Sequence, residues 1–237
     1  MNRAATSQGW EGTLTLAPMV AIFSGTGGDT PEHRHLAHKI VVGASAVGPC
    51  AQLRGGDEPI AVPAGAPHQV MGAQRQVTLV YLDARRFRWS DAARLAGRWR
   101  GLPPACDVDA LLDDVDAVSS WAADARALAA VEAMAQGNTL VDVGRSLRLS
   151  ESRVTHLVTE QLGAPPRAWR TWLRLRNAVD LLAEGDNITS VAHAAGFADS
   201  AHFSRTCSAS LGIAPSALRR LRIDRLRLGR CDLARAG

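Results

Sequence analysis

Apolar residues fall into two textures along the chain. Up to about residue 90 they come in short, often β-branched runs at 13–16, 20–23, 40–42, 60–62 and 77–82. Between the runs lie Gly25-Thr26-Gly27-Gly28, Gly48-Pro49, Gly55-Gly56-Asp57 and Pro63-Ala64-Gly65. Short runs separated by turn-forming residues predict the strands of a small β-barrel or sandwich. After Asp91 the texture becomes Ala-, Leu- and Arg-rich, with apolar residues three and four apart. That spacing predicts helices over 92–99, stopped by Gly101 and Pro103-Pro104, and then over 108–118 and 121–135. The expected fold class is α+β: a β part at 1–90, a helical connector at 91–118 and an all-helical part at 119–237.

The helical part repeats itself. Leu162-Gly163-Ala164-Pro165-Pro166-Arg167-Ala168-Trp169-Arg170 aligns with Leu211-Gly212-Ile213-Ala214-Pro215-Ser216-Ala217-Leu218-Arg219 at an offset of 49. The same offset sets Ser150 over Asp199 and Val154 over Phe203. Each copy has the parts of a bounded helix. Ser150 and Asp199 can accept hydrogen bonds from the first free N–H groups. Gly163 and Gly212 suit the left-handed position that ends a helix, and Pro166 and Pro215 suit the first turn of the next. Short amphipathic helices are expected upstream, at 140–147 and 188–195. A short helix, a turn and a capped second helix make a helix-turn-helix.

Residues 138–222 resemble the DNA-binding domain of the AraC/XylS family of transcription regulators. The second copy carries the denser match: Ile188-Thr189-Ser190-Val191-Ala192, Ala195-Gly196-Phe197, Ser200-Ala201-His202-Phe203-Ser204-Arg205 and Gly212-Ile213-Ala214-Pro215. The intervening segment 169–182, with Leu173-Arg174-Leu175-Arg176 and Ala178, is similar to the family's linking helix. Two positions depart from the pattern: Arg148 stands where the first turn usually has a small residue, and Cys207 where an aromatic is common.

The resemblance implies that the second helix of each unit enters the major groove. With Val154, Leu157 and Val158 inward, the first would present Ser152, Arg153, Thr155 and His156. With Phe203 inward, the second would present Ser200, Ala201, Ser204 and Arg205. Arg205 is the strongest candidate for base reading, because its guanidinium can donate twice to a guanine edge. Short, weakly polar readers leave much of the affinity to phosphate contacts, for which Arg170, Arg174, Arg219 and Arg220 are candidates, with Arg222 and Arg225 beyond them. The segment after Leu221 reads as a basic extension. The implied partners are double-stranded DNA, a small-molecule effector, a second copy of the chain through 92–99 and 108–118, and RNA polymerase.

The β part adds candidate chemistry in His33-Arg34-His35, His38 and Pro63-Ala64-Gly65-Ala66-Pro67-His68. These resemble the HxH and PxGxxH motifs of the cupin barrel, which AraC-type regulators often carry as an effector-binding domain. In cupin enzymes such histidines, with a carboxylate, hold a divalent metal. Here His33, His35 and His68 are in place, but Leu36, Ala37, His38 and Lys39 stand where the Glu would be. Strand alternation puts His33, His35 and Ala37 on one face and His38 on the other. A metal held by His33, His35 and His68, and an effector pocket that merely retains them, both stay open.

Charge sharpens the division. Residues 1–137 hold 12 Lys/Arg against 14 Asp/Glu, whereas residues 138–237 hold 15 Arg against 9. A basic half beside a mildly acidic one suits a chain of which one end meets a polyanion. Cys50, Cys106, Cys207 and Cys231 form no CxxC pair, so a zinc knuckle or thioredoxin-like motif is not indicated. No basic n-region with an apolar run opens the chain, and no apolar stretch is long enough to span a bilayer, which makes the cytoplasm the expected location. No Ser or Cys has an identifiable base partner for nucleophilic catalysis. A DNA-binding regulator controlled by a small effector is the leading reading. A metal-dependent cupin enzyme with an appended helical domain is its rival, and a regulator that has lost its effector is a third reading.

Overall fold

The computed structural model describes residues 9–48, 58–72, 74–118 and 123–226. The expected turn at Gly55-Gly56-Asp57, together with Pro49, Cys50, Trp121 and Cys231, lies outside them. The first part of the chain forms β1 (Glu11–Ala17), β2 (Val20–Thr26), β3 (Ala37–Val42), β4 (Ser45–Val47), β5 (Ile60–Val62), β6 (Gln69–Met71) and β7 (Gln76–Asp83). The helices α1 (Trp89–Arg98), α2 (Val108–Val118), α3 (Ala125–Ala135), α4 (Leu140–Leu147), α5 (Glu151–Leu162), α6 (Pro166–Ala183), α7 (Ile188–Ala194), α8 (Ser200–Leu211) and α9 (Pro215–Leu218) follow. A last strand, β8 (Arg222–Arg225), then returns to the sheet.

Six strands form one sheet in the order β5-β3-β7-β2-β1-β8. Neighbours are antiparallel except at the end, where β8 lies parallel to β1 with Leu14 opposite Ile223. Strands β4 and β6 pair as a separate ribbon, and a single bridge joins His33 to His68. The sheet is mixed with helices as expected, but it is an open sheet rather than a closed barrel. Helices pack against both of its faces.

Both faces of the sheet are therefore buried, and every residue of β3 is buried. Helices α1 and α2 cover one face, where Ile22, Ile40, Val80 and Leu82 meet Leu95, Trp99 and Val115. On the other face Leu14, Phe23, Val41 and Leu79 share a core with Leu175, Val179, Phe203 and Leu218. Burial on both sides explains why the strand sequences are near-continuous apolar runs with little alternation. A third core lies under α3, α4, α5 and the start of α6, around Val131, Val154, Val158 and Trp169.

The expected α1 begins earlier than its apolar spacing suggests, at Trp89, because the Asp91 carboxylate accepts the Arg88 N–H at 2.9 Å. Helix α3 starts later than expected, at Ala125, where Asp124 accepts the Arg126 N–H at 2.8 Å. Side-chain caps, rather than hydrophobic periodicity, set both starts.

Candidate nucleic-acid interface and effector cavity

Helices α4 and α5 form one helix-turn-helix, α7 and α8 a second, and α6 runs between them. Thr139 caps α4, Ser150 caps α5, Asn187 caps α7 and Asp199 caps α8, each accepting from a backbone N–H of the first turn. Gly163 and Gly212 end α5 and α8 with φ of 72° and 74°, the left-handed cap for which glycine has no Cβ penalty. Pro166 and Pro215 open α6 and α9. The turn residue Arg148 takes φ 54°, and Gly196 takes φ 78° in the second unit, so both turns pass through the left-handed region.

On α5, Val154 and Val158 are buried and Leu157 half-buried, which leaves Ser152, Arg153 and His156 exposed and Thr155 half-buried. On α8, Phe203 and Cys207 are buried, Ala201 and Arg205 exposed, and Ser200 and Ser204 half-buried. Ser204 Oγ donates to the Ser200 carbonyl at 2.8 Å, which holds it against its own helix. His202 also stands exposed beside Ala201, its ring edge-on to Phe197 at 5.4 Å, and is a further outward residue that the inward position of Phe203 does not by itself single out. Burial pushes the Cys207 thiol up to about 12, and it donates to the Ile213 carbonyl, so this position fills core space as a small apolar group.

The arginines divide. Arg219 and Arg220 are exposed at the end of α9, and Arg170 and Arg174 are half-buried along α6. The guanidinium of Arg174 lies over Gly196, where a Cβ would come 3.2 Å from its Nε, so it sits on the turn of the second unit. Burial and the neighbouring Arg170 pull the Arg174 guanidinium below its ordinary value. Two others leave the phosphate set. Arg225 is matched by Glu184 at 2.8 Å and by Asp180, and Arg222 by Asp224 at 2.9 Å. Residues 222–225 form a strand at the sheet edge whose arginines are paired with carboxylates at the surface.

Between the sheet and the second unit lies a cavity of about 900 Å³. The sheet contributes Leu14, Phe23 and Tyr81, and the helices contribute Trp172, Val179 and Leu218. Its exposed cations, Arg176 and Arg225, are each paired with a carboxylate, Arg176 with Asp83 at 3.3 Å. Asp83 also takes two side-chain bonds from the buried Arg85, which reaches Glu132 of α3 at 3.2 Å. Cavity, sheet and helices thus share one charge network.

His33, His35 and His68 are buried and come together as the paired motifs imply, with their ligand atoms within 4.8 Å of one another. His38 points to the opposite face, where its Nδ1 accepts from the Ala64 N–H at 3.0 Å. The side chain that sequence reading missed is Lys39, the only lysine in the chain. Its Nζ lies 3.0 Å from His33 Nε2 and 2.9 Å from His68 Nε2. The signal was present in the alternation His33, His35, Ala37, Lys39, which sets all four on one side of an extended segment. Burial pulls Lys39 down to about 7 and His68 to about 4, and holds His33 and His35 far below the ordinary imidazole range. The cluster also touches α8 and the intervening helix α6. A Cβ on Gly212 would meet Thr30 and the His33 ring, the Arg34 N–H reaches the Ala209 carbonyl at 3.4 Å, and the His35 ring lies 5.8 Å from that of Trp172.

Residues 143–221 match the family described as helix-turn-helix domain. Among solved structures, ToxT from Vibrio cholerae O395, bound to (E)-4-(8-methylnaphthalen-1-yl)but-3-enoic acid, aligns with a TM-score of 0.52 at 14% identity, covering 84% of this chain and 98% of that one. The 1.65 Å structure of ToxT from Vibrio cholerae gives a TM-score of 0.50 at 12% identity, over 83% and 96%. The C-terminal domain of AraT from Geobacillus stearothermophilus covers 41% of this chain and 85% of its own length at 21% identity, with a TM-score of 0.38. No curated protein matches. Among the described residues, no helix is long and apolar enough to cross a membrane. The chain therefore carries an AraC-type helix-turn-helix domain at 143–221 behind a sheet-rich N-terminal part, and over most of its length it has the fold of ToxT.

Proposed function

We propose that this regulator is switched by a small, largely apolar molecule held in the cavity between the sheet and the second helix-turn-helix. The observation that carries the reading is the shared wall: one side of the cavity is sheet and the other is α6 and α9, which brace α8. A ligand there has differential contacts with any two arrangements of sheet and reader, which is the requirement for shifting their populations. ToxT, which has the same fold, was solved with an apolar carboxylic acid bound, and that supports a ligand of this general size.

In this reading Ser152, Arg153, Thr155 and His156 read one major-groove block, and Ser200, Ala201, Ser204 and Arg205 the next. Arg170, Arg174, Arg219 and Arg220 fix the protein to phosphates. Homodimerisation, contact with RNA polymerase, a cytoplasmic site of action and the lack of an enzymatic activity belong to the same proposal. The rival, a metal-dependent enzyme, has Lys39 against it.

The test is selection of genomic fragments by the purified protein at moderate salt, repeated with Val179→Trp, which fills the cavity. Enrichment of an asymmetric motif with two blocks about one helical turn apart is expected. The filled variant should keep the motif and lose its response to added apolar extracts. Retention without sequence preference, vanishing as salt rises, would overturn the DNA-reading part; an unaltered response in the variant would overturn the cavity part.

A further inference from the structure

The three cluster histidines are oriented as metal ligands are. Each Nδ1 faces a backbone carbonyl: His33 that of Pro31 at 3.0 Å, His35 that of Ala37 at 2.9 Å, and His68 that of Ala66 at 2.9 Å. A carbonyl can only accept, so Nδ1 carries the proton and Nε2 presents its lone pair. Backbone carbonyls fix the tautomer of ligating imidazoles in the same way. The donor set alone would suit a divalent first-row ion.

The space among the lone pairs is nevertheless filled. A metal bound by His33 and His68 would sit about 2.0–2.1 Å from each Nε2. Lys39 Nζ lies at hydrogen-bond distance from both, so an ion in that position would overlap it. The residues as folded do not fit a metal. They fit an ammonium, which brings three N–H donors to a ring of acceptors. His33 and His68 take two of them. The third acceptor, His35 Nε2, is buried with no hydrogen-bond partner among the described residues. The ring face of Tyr81, 4.8 Å from Nζ, adds a further favourable surface for a cation. Lys39 has no carboxylate partner among the described residues, and its side chain is fully buried.

We propose that the Lys39 ammonium is the resident cation of this cluster, standing in the place of a divalent metal and closing the three-histidine site to one. It ties the His33 segment, which supports the Gly212 end of α8, to His68 on the neighbouring strand connection. Its removal exposes a three-nitrogen site with its second shell already in place. The inference does not depend on the effector reading.

Untagged wild type, Lys39→Ala and Lys39→Ala/His68→Ala are titrated with Co²⁺, followed by its visible absorption and by calorimetry. Wild type is expected to bind none at the cluster, Lys39→Ala one ion per chain, and the double variant at least tenfold more weakly. Stoichiometric, His68-dependent binding by wild type overturns the proposal, as does a folded Lys39→Ala that binds none. Should Lys39→Ala fail to fold, wild type labelled with ¹⁵N-lysine decides the matter at pH 6. With one lysine in the chain there is one side-chain signal. An ammonium signal protected from solvent exchange supports the resident cation, and a neutral amine or a rapidly exchanging signal overturns it.

Discussion

The two helix-turn-helix units are copies in sequence and differ in what holds them. The first, α4 and α5, packs with α3 and the start of α6 in a core that takes little more than Leu36 and Ala84 from the N-terminal part. The second, α7 and α8, lies in the same core as the sheet, and β8 follows it directly into the sheet edge. Gly163 ends α5 with open space where a Cβ would be, whereas Gly212 ends α8 against Thr30 and His33. In the proposed reading the first copy is a free reading head and the second is part of the sensor's wall, so a ligand in the cavity would act first on the second reader.

The comparison breaks most visibly at the paired core position. Phe203→Ala should cost about 3–5 kcal/mol, and Val154→Ala in the first unit distinctly less, because a larger ring leaves a larger void. Urea denaturation of both variants measures this, and Phe203→Ala should also loosen the sheet, read by hydrogen exchange at β1 and β2. Exchange confined to α7 and α8 would mean that the shared core does not couple the two parts.

The paired caps come next. At Gly163→Ala only the left-handed backbone is penalised, at roughly 1–2 kcal/mol. Gly212→Ala carries the same penalty and must also displace Thr30 and His33, so a loss of about 2–4 kcal/mol is expected. Equal losses in denaturant would show that the sheet yields freely at the end of α8.

Smaller in slope is a pH effect that belongs to the second unit's support alone. His33, His35 and His68 are held below the ordinary imidazole value, His68 at about 4. Below pH about 6.5 the unfolded chain takes up protons that the folded chain refuses. Stability should therefore fall as pH drops from 6.5 towards 4. Thermal melts between pH 7.5 and 5 test this; a flat profile would mean that the cluster accepts protons in the fold. Lys39, at about 7, acts in the same direction at higher pH: the unfolded lysine stays charged to about 10.5, so stability rises between those values.

At the DNA itself, Arg205→Ala should cost roughly 1–3 kcal/mol on the selected motif and little on random sequence. His156→Ala at the equivalent position should cost less. Equal loss on both kinds of DNA would make Arg205 a phosphate contact.

Much of this was legible beforehand because it is local. Caps such as Ser150 and Asp199, the Gly163 and Gly212 stops and the prolines after them act within a few residues, and the structure has all of them in those roles. The order of strands and helices follows from the same short-range signals. Strands β4 and β6 went unseen because Ser45-Ala46-Val47 and Gln69-Val70-Met71 each hold a single β-branched residue and so form no apolar run. Strand β8 went unseen because Arg222-Ile223-Asp224-Arg225 has the composition of a solvated tail; only pairing with β1 and the carboxylates of α6 make it a strand. The cupin motifs imply three histidines meeting, and they do meet; the sheet beside them is open, with helices packed on both of its faces.

Sequence by itself determined the two helix-turn-helix units, the caps of their second helices and the meeting of the three histidines, since each rests on periodicity, on contacts close in the chain or on a local motif. Tertiary structure alone decided that Lys39 sits among those histidines, that the cavity is shared by sheet and reader, and that the two readers are held so differently. Those outcomes depend on residues brought together across most of the chain, such as Gly212 on His33, and no local pattern specifies which distant surface a side chain will meet.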